Sequence, residues 1–458
     1  MSSRALAEWA GQLTLADLPA HVRHATARHL LDGIGNALAA QRLGQGRAGW
    51  TVAEALGGPA EARPLTGTRA LSAPAAGMAT AVLVHALDFD DTHAGALVHA
   101  TAVALPAAFA VGQSVHATGA QVLTATAIGL ETACRLGLAS PHGFHSRGLH
   151  ATGVVGPFAA ALVTGTLSGL STDQLVDALG IAGSGAGGLL EFLDTDADTK
   201  ALHPGTATLN GILAARLAAA GASGPPSVLE GRRGLYATMS ARDFNLAAVS
   251  AELGTRWEAA EIGIKPYPSC QLMHVTLDAV AAAVANSDID PARVIDIEVH
   301  VHTDSAPIVC GPNTGLAAPR SPYDGKFDLP WSVAALLHDG TVDISTYTPE
   351  SIARPDVLAT AAKVRVVENA ADGPAASAPG HAVLTLDDGS TLDGRVGGSR
   401  GTVAFPLDDA ALRAKFRANC ADHPATEELA DRIFALADEP DLTGILDLAA
   451  TIAPATPN

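Results

Sequence analysis

The chain has 458 residues, of which 48% are apolar and 16% charged, and its formal net charge is −19. This composition excludes a disordered chain and is long enough for roughly two to four domains. The acidic balance argues against nucleic acid and against anionic membrane surfaces as partners, but says nothing against a small anion held by local cations. Residues 18–41 carry apolar side chains at three- and four-residue spacing and predict an amphipathic helix, broken by Gly44, Gly46 and Gly49 ahead of a short helix at 51–56. Residues 73–87 predict a buried helix, residues 119–139 a long one, and residues 152–164 a small-residue helix. Ser171 and Gln174 have the spacing of a capping box that starts another. Helix is expected again after Gly205 through Ala220, and helical character up to about Trp257.

Beyond Lys265 the pattern changes. Residues 294–302 alternate as a strand does, residues 363–367 predict a second, and 382–386 with 390–396 predict a hairpin around Asp387-Asp388-Gly389. Helices are expected at 276–285 and 329–337, and again over 408–449 with a break at 420–424. The expected fold is mainly α: a large helical domain (1–267), an inserted smaller α+β lid domain (268–404), and a helical C-terminus (405–458) returning to the first.

Residues 94–130 contain no Asp, Glu, Lys or Arg. Pro106, Gln113, Ser114 and His116 interrupt the run and no basic cluster flanks it, so buried helices of a soluble bundle are expected rather than a membrane span. Cys134, Cys270, Cys310 and Cys420 form no CxxC pair. With no signal-peptide pattern at the N-terminus, reduced thiols in a cytoplasmic protein are expected, and no zinc site.

Four segments concentrate ionisable groups in apolar surroundings: Asp88 to His99, His142 to His150, Asp194 to His203, and Ile264 to His274. If they converge, they form a pocket with His85, His99, His150, His203, Lys200 and Lys265 as protonatable or positive groups and Asp88 and Asp91 as orienters. Such a set suits a substrate bearing several carboxylates, since lysines hold carboxylates and a histidine near neutrality moves protons. Each has a plainer reading. The acids can be a solvated helix end, His85 a satisfied core histidine, His142 and His145 loop decoration, and Lys200 and His203 caps for the next helix. Asp194, Asp196 and Asp198 are read as an exposed acidic turn.

The same segments carry the strings Leu87-Asp88-Phe89-Asp90-Asp91-Thr92-His93 with His99, Gly148-Leu149-His150-Ala151-Thr152-Gly153, Thr199-Lys200-Ala201-Leu202-His203-Pro204-Gly205 and Ile264-Lys265-Pro266-Tyr267-Pro268-Ser269-Cys270. In order and separation they resemble the MmgE/PrpD family, which includes 2-methylcitrate dehydratase, cis-aconitate decarboxylase and iminodisuccinate epimerase. Phe327-Asp328-Leu329-Pro330 resembles a later family segment. The resemblance implies a helical domain with an α+β lid, a homodimer, and lyase chemistry on a small di- or tricarboxylate without metal or cofactor. It places Asp88, Thr92, His99, His150, Lys200 and Lys265 on active-site positions, with Tyr323 as the lid-side tyrosine. His203 and Asp91 are expected to bind substrate. Dehydration of a 2-methylcitrate-like acid is the first expectation, followed by decarboxylation of a cis-aconitate-like acid or epimerisation next to a carboxylate.

The chain departs from the family pattern at Ala100 (commonly Pro), Ala201 (often Arg) and Gln271 (often basic or aromatic). The lost positive charge points to fewer substrate carboxylates. Two further classes compete for the same residues. A magnesium-dependent prenyl-diphosphate lyase using Asp90-Asp91 needs further acids a turn away and an aromatic pocket, and Thr92, His93, Ala94 and Gly95 follow instead. A non-catalytic homologue is disfavoured by the joint presence of Asp88, His150, Lys200 and Lys265.

Overall fold

The computed structural model describes residues 1–195, 197–285, 287, 289–310, 319–370 and 375–453. The protein is mainly α-helical, with one small four-stranded sheet. No described helix is long and apolar enough to cross a membrane. The chain forms two compact units: one comprises Met1–Leu190, Thr199–Ile262 and Asp408–Asn458, the other Glu191–Asp198 and Gly263–Leu407.

The first unit is built from helices whose contact faces are alanine and glycine. Ala73–His85, Thr101–Ser114, Gly119–Leu138 and Ala151–Leu167 pack on one another and bury nearly all their side chains, and His203–Ala219 packs on them along one face. Small side chains let the backbones approach closely. At Gly211 a Cβ would stand 2.5 Å from the Pro157 carbonyl oxygen and 2.4 Å from the Ala160 Cβ, so no larger residue fits that crossing. The capping box at Ser171 forms, with its hydroxyl accepting from the Gln174 amide and the Gln174 side chain returning to the Ser171 amide.

Two local expectations are corrected. Gly44 and Gly46 take positive φ and end the Ala20–Arg42 helix, but Gly49 lies inside the next helix, Arg47–Leu56, where its lack of a side chain admits Val82. The stretch from Ala220 to Ile262 is not continuously helical; it has short turns only, at Leu235–Met239, Ala247–Ser250 and Glu258–Ala260. Its carbonyls are satisfied by a buried ion pair instead. Arg135, bound to Glu131, donates to the Ala251 oxygen at 2.6 Å and the Arg256 oxygen at 2.7 Å, and Glu131 accepts from the Ala259 amide at 2.8 Å. A side-chain anchor can thus replace helical hydrogen bonding in ordering a long connection.

The helix Asp409–Asn419 packs on Ala20–Arg42. Its Lys415 ammonium lies 2.6 Å from Asp32, donates to the Phe89 carbonyl at 2.8 Å and sits 3.6 Å above the Phe89 ring. The last part of the chain therefore braces the acidic motif near residue 89.

In the second unit the strands β1 (Val294–His302), β2 (Val364–Asn369), β3 (Gly380–Leu386) and β4 (Thr391–Val396) lie in the order β2-β1-β3-β4. β1 pairs parallel with β2 and antiparallel with β3, and β3 and β4 form the expected hairpin. The helix Gln271–Val284 covers β3 and β4 and meets the helix Leu329–Asp339.

Candidate active site

The acidic motif is not a solvated helix end. Every residue from His85 to His93 is buried, because the Ala73–His85 helix stops inside the first unit rather than at its surface. The turn is sharp. Asp88 takes φ +52°, a left-handed conformation tolerated by a short polar side chain and costing about 1–3 kcal/mol unless its surroundings enforce it. Here they do: the Lys200 ammonium donates to Asp88 Oδ1 at 2.8 Å, with both groups out of solvent. Lys200 stands on the 3₁₀ turn Thr199–Leu202, so it serves this pair and not the cap of the following helix.

The three acids of the motif point to three different partners. Asp91 accepts from the Thr101 amide at 3.2 Å and from its hydroxyl, and lies 3.1 Å from His29 Nδ1, which ties down the start of the Thr101–Ser114 helix. Asp90 accepts from His85 Nδ1 at 2.8 Å. His93 accepts from the Ala96 amide on Nδ1 and donates through Nε2 to Glu258 at 3.2 Å, which is a structural arrangement.

Three imidazoles gather behind this turn. The ring centres of His85 and His99 are 4.8 Å apart, His85 and His150 5.6 Å, and His99 and His150 5.7 Å. His203 joins at 5.3 Å from His150, with their Nδ1 atoms 3.1 Å apart. His99 Nδ1 donates to the Asp91 carbonyl at 2.7 Å and lies 3.2 Å from the Thr92 hydroxyl, which fixes its lone pair on Nε2. The His99 amide donates to the Thr152 hydroxyl at 3.0 Å, joining two of the sequence strings. His150 is held by its own amide, which donates to the Gly188 carbonyl at 2.8 Å. Gly153, one turn on, leaves room for the Gly187–Gly188 segment: a Cβ there would stand 2.2 Å from the Gly187 oxygen.

Burial, aided by the nearby Lys200 charge, holds the His150 imidazole well below its ordinary range. Burial with His85 and Lys200 lowers His203 to about 4, and burial with His142 and Lys200 lowers His145 to about 3. His145 is thus not a loop ornament: its ring centre is 6.3 Å from His150. At neutral pH these imidazoles are uncharged, and an anion arriving beside them would favour proton uptake. Donor atoms of His85, His99 and His150, and of Asp88, Asp90 and His99, lie within 4.8 Å of one another, so either set could contract onto a metal ion.

Of the expected site residues, Asp88, Asp91, Thr92, His99, His150, Lys200 and His203 thus lie in the first unit and are linked by these contacts. Lys265 and Tyr323 belong to the second unit. Lys265 is fully buried next to Ile264, whose amide donates to the Gly401 carbonyl at 2.8 Å; Tyr323 lies 5.8 Å from the Phe327 ring. Asp194 and Asp198 are exposed as expected, while Asp196 lies outside the described residues. His29 and Thr101 carry no signal in the sequence, while Asp90 and Thr152 lie inside the motif strings without a role in the family reading.

Residues 4–247 match the MmgE/PrpD N-terminal domain and residues 267–439 the MmgE/PrpD C-terminal domain. A cis-aconitate decarboxylase of Aspergillus terreus is 28% identical over 472 residues, covering 97% of this chain and 94% of its own. Cis-aconitate decarboxylases of Mus musculus and Homo sapiens are each 28% identical, covering 74% of this chain and 70% and 71% of theirs.

Proposed function

The chain belongs to the MmgE/PrpD family, and from that premise we propose that it is a lyase acting on a small polycarboxylate, with decarboxylation of a cis-aconitate-like acid as its reaction. The observation that carries this reading is the near full-length similarity to a cis-aconitate decarboxylase. It reverses the order expected from sequence, where dehydration of a 2-methylcitrate-like acid came first; dehydration becomes the second reading.

The chemistry asked of the pocket is modest. Loss of carbon dioxide from a carboxylate borne on the saturated carbon beside an alkene leaves an electron pair shared over three carbons, and the far carbon then takes a proton. His150 or His99 supplies that proton, an acid–base role worth roughly 10²- to 10⁴-fold in rate. Lys200 and Lys265 bind carboxylates, and Asp88 and Thr92 orient the histidine and the substrate. His203 and Tyr323 are assigned to substrate binding, while Asp91, expected from sequence to bind substrate, is assigned to bracing the pocket because Thr101 and His29 take its carboxylate. For Lys265 and Tyr323 the assignment rests on the family resemblance, as do the homodimer and the absence of a cofactor; a cytoplasmic location rests on composition. The inserted α+β segment is assigned as a lid on the same grounds.

Purified protein incubated separately with cis-aconitate, 2-methylcitrate and iminodisuccinate, followed by proton NMR and carbon dioxide release, tests the reading. The expected result is carbon dioxide with a new terminal alkene from cis-aconitate. Folded protein that turns over none of the three acids defeats it.

A further inference from the structure

His85 and Asp90 are both fully excluded from solvent, and their contact is short, 2.8 Å from Nδ1 to Oδ2. A carboxylate accepts and does not donate, so in the neutral ring the proton lies on Nδ1 and the lone pair on Nε2. Among the described residues that Nε2 has no hydrogen-bond partner, and neither has Asp90 Oδ1. Buried polar atoms left without partners cost about 1–3 kcal/mol each. A pair whose only task was packing would not keep two of them beside two other imidazoles.

The neighbours define the task. The His85 ring is stacked on His150, with planes 19° apart, and lies tilted against His99. His150 Nε2 is likewise buried without a partner among the described residues. Asp90 Oδ2 is also 3.8 Å from His99 Nδ1, so one carboxylate adjoins two of the three rings.

We propose that Asp90, acting through His85, is a positioning residue for proton transfer in this pocket: it holds the His85 proton on Nδ1 and keeps a buried lone pair, on Nε2, beside His99 and His150. A proton that reaches His85 Nε2 breaks one N–H bond on the group that gave it, forms one on His85, and leaves the positive charge against the Asp90 carboxylate; the return transfer restores both. The catalytic consequence rests on the proton-transfer reading above; the tautomer does not.

Nitrogen-15 NMR of protein labelled in histidine tests the tautomer without reference to activity. A protonated Nδ1 and an unprotonated Nε2 are expected for His85, with the pattern lost in Asp90→Asn. A proton found on Nε2 of His85 in the unaltered protein overturns the proposal. In Asp90→Asn, kcat on the best polycarboxylate is expected to fall about 100-fold or more while KM changes less than about threefold. A kcat within about threefold of the parent, in a variant with the parent's melting temperature, also overturns it. If Asp90→Asn does not fold, the spectrum of the unaltered protein decides. If no polycarboxylate is turned over, the functional reading fails and the tautomer is still read directly.

Discussion

Lys200 reaches back across 112 residues of sequence to donate to Asp88 at 2.8 Å, and neither side chain is more than marginally exposed. Asp88→Asn removes a counter-charge from the buried Lys200 ammonium. Breaking a buried pair from one side costs about 3–5 kcal/mol, so a large drop in melting temperature is expected. The double variant Asp88→Asn with Lys200→Met, which removes both charges, is expected to regain much of that stability and none of the activity. A single variant as stable as the parent would show that the pair contributes nothing to folding.

Stability should depend on pH through the depressed histidines. His150, His203 and His145 all bind protons less readily when folded than at the ordinary value of 6.5. Below that pH the unfolded chain takes up protons that the folded chain refuses, so stability rises with pH through this window. It is fully present above pH 6.5 and is lost progressively toward about pH 4 and then about pH 3, where His203 and His145 protonate in the folded state. Urea midpoints measured from pH 7.5 to pH 4.5 check the slope. A bound polycarboxylate should flatten it, since its charge favours the protonated rings.

His150→Asn retains a polar side chain of similar reach at the centre of the imidazole cluster but cannot carry a proton. A fall in kcat of roughly 10²- to 10⁴-fold is expected, with the fold intact by circular dichroism. Undiminished kcat would remove His150 from the mechanism.

Thr101→Val tests the part played by Asp91. The hydroxyl of Thr101 bonds the Asp91 carboxylate at the start of a buried helix. Losing that bond leaves a buried oxygen short of a donor, for about 1–3 kcal/mol. The cost should show in chemical denaturation, with KM for the polycarboxylate held within a factor of a few if Asp91 works by bracing the pocket. A large KM rise without loss of stability would place Asp91 against the substrate instead.

Gly153→Ala is expected to be the most damaging single methyl group in this region. Its Cβ would fall 2.2 Å from the Gly187 oxygen, and the segment it displaces carries the Gly188 carbonyl that holds the His150 amide. Overpacking of this kind costs about 1–3 kcal/mol, and here activity should fall with stability. Unchanged kcat would mean that the Gly187–Gly188 segment moves freely.

Sequence alone determined much about this protein. Charge-free alanine-rich runs and 3.6-residue periodicity marked the buried helices and alternation marked β1 and the β3–β4 hairpin, because local spacing dictates local conformation, and four motif strings marked the family. The tertiary structure decided what the motif's neighbouring acids do. Asp88, Asp90 and Asp91 lie within four positions, yet one meets Lys200, one His85, and one Thr101 and His29. No periodicity could separate them, since the direction of each carboxylate follows from a left-handed turn at Asp88 and from partners that only the folded chain brings near.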